Sequence, residues 1–156
     1  MSTTAIAQAT ARGCTNFKLR QVSRRVSQRY DQELAKAGIK TTQYSLLTHL
    51  VKLGPIRPGD LAQAMTMDAS TLTRNVKPLV AAGWVELGAG ADGRSRLVGL
   101  TAAGRDKWTE SRRHWLVAQA SLNQLLGTDR VQALHVLIDE SLSLLATLPN
   151  SEDVDD

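Results

Sequence analysis

Ser70, Thr71, Thr73, Arg74 and Lys77 fall within eight consecutive residues, hydroxyls first and bases after. At helical spacing Ser70, Thr73, Arg74 and Lys77 make one polar stripe, while Leu72, Val76, Leu79 and Val80 make an apolar one. Short hydroxyl side chains let the start of a helix come close to base edges, and an arginine or lysine beyond them reaches guanine or phosphate. The chemistry on offer is hydrogen bonding to a duplex through its major groove. A solvated amphipathic helix has the same two faces, so the stripe alone leaves both readings open.

The next charged cluster separates them. Asp92, Arg94 and Arg96 stand in or beside residues 88–95, a stretch with three glycines. An arginine at the tip of such a turn can enter a narrow A·T minor groove, where the negative potential is strongest. Arg94 is the residue expected to insert, with Arg96 contacting the duplex beside it. Asp92 is unsuited to touching DNA and is expected to accept a hydrogen bond from a nearby arginine, holding the loop in shape.

Other constellations carry less. Gly88-Ala89-Gly90-Ala91-Asp92-Gly93 matches G-x-G-x-x-G, the glycine pattern of a nucleotide-dependent enzyme. There the glycines open a helix whose N-terminus cradles a pyrophosphate. Here residues 96–100 follow and read as a second strand. His49, His114 and His135 fall on three different expected helices, with no Cys or carboxylate at ligand spacing, so no metal site is expected. No Ser, His and Asp grouping has local support as a catalytic triad. No cofactor and no enzymatic activity are expected. A helical adaptor for another protein is the remaining rival, and the excess of basic charge around a polar helix face argues against it.

The elements that must position these residues follow from apolar spacing. Leu19, Val22, Val26, Tyr30 and Leu34 recur every three or four residues, which predicts a first helix over residues 12–37, stopped by Gly38. Thr41 or Thr42 is placed to cap a second helix that ends at Gly54-Pro55. Pro58 suits the first turn of a short third helix ending near Met65, with Asp60 where the helix dipole favours a carboxylate. Thr66, Met67 and Asp68 connect it to a fourth helix, capped by Asp68, bent by Pro78 and stopped by Gly83. Residues 84–87 and 96–100 read as the strands of a hairpin. Thr101 opens a long fifth helix through Trp108, Trp115 and Leu122. Gly127 breaks it, and Thr128 is placed to cap a sixth that carries Val131, Leu134, Ile138 and Leu145.

The expected fold class is mainly α with a small β-hairpin wing: a winged helix-turn-helix lobe over residues 41–100 and a helical dimerisation region from residues 11–38 and 101–148. The apolar stripes of the first and last two helices exceed what that lobe can bury. Such surplus marks an association surface, here a homodimer.

Charge agrees with a polyanionic partner. The net charge of +4 hides an asymmetry: residues 12–40 carry eight bases against Asp31 and Glu33, while residues 151–156 hold four acids and no base. That acidic tail, residues 149–156, is expected to be disordered. The single cysteine, Cys14, excludes an internal disulfide and fits a reducing compartment. No apolar run approaches the roughly 20 residues needed to cross a bilayer, and residues 1–8 do not read as a signal peptide. A soluble, cytoplasmic protein with no membrane partner is expected.

Taken in order, Leu61-Ala62, Asp68-Ala69-Ser70-Thr71-Leu72-Thr73-Arg74, Gly83-Trp84-Val85, Asp92-Gly93-Arg94-Ser95 and Leu100-Thr101-Ala102-Ala103-Gly104 resemble the MarR family of bacterial regulators over about residues 15–148. The resemblance implies one MarR-like domain over the whole chain, paired into a homodimer. It implies binding to a pseudo-palindromic double-stranded operator, usually as a repressor released by a small molecule or an oxidant. It also implies a ligand pocket between the dimer helices and the lobe. Arg20 and Arg24 would clamp the carboxylate of a small aromatic or phenolic acid there, with Tyr44 and Trp108 as aromatic walls. One branch of the family senses peroxide through a cysteine near the start of its first helix, aided by tyrosines including one like Tyr30. Cys14 is the candidate, about two residues earlier than that pattern has it.

Overall fold

A computed structural model of the chain describes residues 13–148. The expected acidic tail, the N-terminal segment and Arg12 therefore lie outside the described residues. The apolar repeat at every third or fourth position becomes α1 (Thr15–Leu34), α2 (Thr41–Leu53), α3 (Pro58–Ala64), α4 (Ala69–Ala81), α5 (Ala102–Leu126) and α6 (Thr128–Leu145). Between α4 and α5 the chain turns through β1 (Val85–Ala89) and β2 (Arg96–Leu100).

Two helix starts differ from the expectation. Neither Thr41 nor Thr42 caps α2. Lys40 occupies the N-cap, and the Thr41 N–H and hydroxyl both donate to Asp31 Oδ1, at 2.8 and 2.7 Å. Gln43 Oε1 accepts from the Lys40 N–H at 3.0 Å. A carboxylate ten residues back thus satisfies a donor expected to find a local hydroxyl. Nor does Thr128 cap α6: Gly127 stands at the N-cap at φ 84°, and Thr128 is the first helical residue. At the end of α1 the last turn tightens into a 3-10 turn (Ala35–Ala37), and Gly38 stops it in the left-handed conformation.

The strands pair antiparallel, Val85 opposite Leu100 and Ala89 opposite Arg96. β1 runs two residues beyond the expected end because Gly88 and Ala89 pair with Leu97 and Arg96, which shortens the loop. Ile56, just before α3, adds one rung on the far side of β2: its N–H and C=O exchange hydrogen bonds with Val98 at 3.0 and 2.8 Å. The hairpin is thereby tied directly to the helix-turn-helix.

The chain divides into two compact units, one through Ala118 and one from Gln119. In the first, Leu34, Leu46, Leu47, Leu50, Leu61, Leu72, Leu79 and Val98 form a fully buried aliphatic core. Helix α5 starts at the base of the hairpin. Thr101 Oγ1 accepts from the Gly104 N–H at 3.0 Å and donates to the Gly83 carbonyl at 2.6 Å, so Thr101 caps the helix it was expected to open. Gly104 is obligatory there, because a Cβ would overlap the Trp84 carbonyl oxygen. One turn on, Lys107 donates to the Ala37 carbonyl at 3.0 Å and lies over the Trp84 ring at 5.3 Å from its centroid. In the second unit Leu122 and Val131 are buried, while Leu125, Leu137, Ile138, Leu142 and Leu145 are exposed. Among the described residues no helix is long and apolar enough to cross a membrane.

Candidate nucleic-acid interface

The turn between α3 and α4 is four residues long, 65–68, one more than expected because α3 ends at Ala64, and its geometry is held by main-chain bonds. Thr66 N–H donates to the Gln63 carbonyl at 3.0 Å and Met67 N–H to the Ala62 carbonyl at 2.9 Å. Thr66 adopts φ 52°, an uncommon conformation for a β-branched residue, and so lets the chain reverse within those residues. Asp68 then caps α4, accepting from Ser70 Oγ at 2.6 Å, Thr71 N–H at 2.7 Å and Thr71 Oγ1 at 2.8 Å. The Ser70 hydroxyl above all, with the Thr71 N–H and hydroxyl, holds the Asp68 carboxyl well below the usual carboxylate range.

The cap sets the chemistry of the helix start. A carboxylate and a carbonyl can only accept, so Ser70 and Thr71 spend their hydroxyl protons on Asp68, and Thr73 spends its own on the Ala69 carbonyl at 2.9 Å. Outward these hydroxyls offer lone pairs, which suit the amino groups of adenine and cytosine in a major groove. Donors come from the two bases farther along, Arg74 and Lys77, both exposed. Leu72, Val76 and Leu79 on the opposite face are buried, so the polar stripe points outward. Pro78 lies inside α4, where it has no N–H to give the Arg74 carbonyl.

The hairpin loop is shaped by Asp92. Its Oδ1 accepts from the Arg94 N–H at 3.1 Å, the Ser95 N–H at 2.9 Å and Ser95 Oγ at 2.6 Å. The hydrogen bond expected from a nearby arginine comes from the main chain of Arg94, and Ser95 supplies the other donors. The Ser95 hydroxyl foremost, then the two N–H groups, lower the Asp92 pKa to about 2. Arg94 stands exposed in the loop. Arg96, at the start of β2, shares with Thr73 and Lys77 a groove of about 490 Å³ floored by Leu72, Val76 and Val98. The G-x-G-x-x-G stretch leads from β1 into β2, not into a helix, so its glycines build a hairpin and no pyrophosphate cradle.

A second concavity, of about 550 Å³, lies within the first unit between α1, α2 and the start of α5. Tyr44 and Trp108 line it, as expected of a ligand pocket. Arg20 and Arg24 do not: they are exposed on α1, N-terminal to its first lining residue, Val26. The cations of the cleft are Lys52 and Arg112, and Tyr30 and Trp115 complete its aromatic wall. Trp115 stacks on Tyr44 at 6.1 Å between centroids and 27°, and tilts against Tyr30 at 6.5 Å. Trp108 Nε1 donates to Thr48 Oγ1 at 3.1 Å. Burial raises the pKa of both tyrosines, so both remain neutral phenols at ordinary pH. Helical spacing could have found these residues: Tyr44 and Lys52 are eight apart, and Trp108, Arg112 and Trp115 are four and seven apart.

Cys14 is exposed at the N-cap of α1. Sixteen residues separate it from Tyr30, about 24 Å along a helix axis, so the two do not meet within one chain. His49 Nδ1 lies 2.8 Å from the Ser45 carbonyl oxygen, an ordinary intrahelical contact. Among the described residues no group of three His, Cys, Asp or Glu is placed to hold a metal ion.

Known proteins share this arrangement. The MarR family model matches residues 37–95. An uncharacterised HTH-type transcriptional regulator of Bacillus subtilis, YwoH, is 30% identical over 93 residues, 60% of this chain and 68% of that protein. The crystal structure of the M. tuberculosis transcriptional regulator MosR in complex with DNA superimposes with a TM-score of 0.73 at 28% identity, over 87% of this chain and 100% of that one. A MarR mutant from E. coli, crystallised with operator DNA, shares the fold with a TM-score of 0.75 at 24% identity, covering 81% of this chain and 92% of its own.

Proposed function

The chain belongs to the MarR family of DNA-binding transcription regulators, and on that premise we propose that it is a homodimeric cytoplasmic repressor of a pseudo-palindromic operator, released by a small aromatic carboxylate. Each subunit lays α4 in a major groove, with Ser70, Thr71 and Thr73 against amino groups and Arg74 and Lys77 reaching guanine or phosphate. The hairpin reaches the adjacent minor groove, where Arg94 inserts and Arg96 holds the flanking backbone. Asp92 shapes the loop and does not touch DNA. The observation that carries this reading is the polarity of α4: Ser70, Thr73, Arg74 and Lys77 are exposed, while Leu72, Val76 and Leu79 of the apolar stripe are buried and only Val80 at its end is exposed.

The effector belongs in the cleft of Tyr30, Tyr44, Trp108 and Trp115, where Lys52 and Arg112 can pair with a carboxylate and the rings can stack on an aromatic plane. Such a ligand releases DNA only if it prefers a lobe spacing that the operator does not fit. Oxidation of Cys14 is the second trigger, favoured by the exposure of that thiol. The formed cleft, with two cations and four rings, supports the ligand reading more strongly.

The test uses duplexes enriched from a random pool by the purified protein. Arg74→Ala should cost about 1–3 kcal/mol on the enriched sequence and relax base preference, whereas Arg94→Ala should weaken binding evenly across sequences. Substituted benzoates should lower DNA occupancy of the wild type and not of Arg112→Ala. If both arginine variants bind the enriched duplex as the wild type does, this surface is not the DNA face.

A further inference from the structure

A helix lying in a major groove has a sugar-phosphate strand along each flank. The wing-side flank of α4 has a cation in Arg96, which shares a groove with Thr73 and Lys77. On the opposite flank lies a notch of about 150 Å³, lined by Arg74, Asn75 and Pro78 of α4 and by Lys40, Thr42 and Gln43 at the start of α2. Nothing in the function above uses Lys40. No carboxylate lines the notch, and among the described residues the ion pairs are Lys36 with Glu33 and Lys107 with Glu110. Asp31, the acid at this end of α2, is turned to Thr41, whose N–H and hydroxyl occupy one of its oxygens. Arg74 reaches only Thr71 Oγ1, at 3.3 Å. Two uncompensated cations facing one small polar recess attract an anion.

We propose that this notch holds a backbone phosphate of the bound duplex, with Lys40 as its principal contact and the Thr42 hydroxyl as a second donor. Lys40 and Arg96 then grip the two strands that flank α4 and set how deeply it sits, while Arg74 remains free to point at bases. Lys40 carries affinity without sequence information, because a phosphate is the same at every step. The inference rests on the reading of α4 as the element that enters the groove.

The experiment measures the affinity of wild type, Lys40→Ala, Lys36→Ala and Arg74→Ala for an enriched and a random duplex over a salt series. Lys40→Ala should lose on the order of tenfold on both duplexes alike, and its plot of log affinity against log salt should flatten by about 0.9 per subunit contact. Lys36→Ala, whose ammonium is already held by Glu33, should leave the slope unchanged. Wild-type affinity and slope for Lys40→Ala, beside a loss of preference in Arg74→Ala, would overturn the phosphate notch and leave the α4 reading standing. An equal flattening in Lys36→Ala would reduce Lys40 to general charge and overturn the specific contact. If Arg74→Ala is also silent, both readings fail together.

Discussion

A single carboxylate organises each half of the proposed DNA-binding surface. Asp68 caps α4 and commits the Ser70 and Thr71 hydroxyl protons inward; Asp92 draws the Arg94 and Ser95 N–H groups into one turn. Both acids have lowered pKa values, so each contributes its bonds in full above the ordinary carboxylate range and loses them only as pH falls through the lowered value. For Asp92 that value is about 2. The Ser95 amide resonance should therefore stay constant from pH 7 down to pH 4, followed by NMR. An inflection near pH 4 would mean that Asp92 does not hold the loop. The residue types of this surface are legible in the sequence because hydroxyls, bases and a glycine-rich turn each leave a compositional mark. The cleft is less so. Arg20 and Arg24 have the right chemistry for a carboxylate, but which turn of α1 reaches the cavity depends on how α1, α2 and α5 cross, and no local pattern encodes that crossing. Lys52 and Arg112 take the place instead.

Helices and hairpin alike follow from local rules, and several of their exceptions come from partners distant in sequence. A period of three to four residues places the helices because each must bury one face. Caps are less predictable, since any acceptor that comes within reach can serve: Asp31 reaches Thr41 across ten residues, and Gly127 starts α6 with no side chain at all. The rung between Ile56 and Val98 leaves no periodic signal, being a single pair, yet it locks the hairpin against the helix-turn-helix. The join between hairpin and α5 is tighter still. Gly104 packs against the Trp84 carbonyl, and Thr101 bonds to both Gly104 and Gly83. Gly104→Ala forces the main chain apart there and should destabilise the fold by about 1–3 kcal/mol, read from the denaturant midpoint at unchanged m-value. A change below about 0.5 kcal/mol would contradict this packing.

At the scale of the molecule, the first unit has a closed aliphatic core while the second exposes most of its apolar side chains. Phe17, Leu19 and Val22 are likewise exposed on α1. Apolar surface of that extent is characteristic of a protein that associates with a copy of itself. Light scattering at micromolar concentration should give twice the 16.9 kDa of one chain, and Leu137→Glu with Leu142→Glu should shift the population toward monomer. A monomeric wild type would remove the basis for a two-fold operator. That symmetry is also what an unbiased DNA selection reads. Sequencing the duplexes that the purified protein enriches from a random pool should return two-fold symmetric sites, with half-sites centred about one helical turn apart. The enriched sites should bind at least about 10³-fold more tightly than random duplex. A pool that emerges without symmetry or enrichment would contradict the placement of α4 in the groove, and with it the function proposed for the chain.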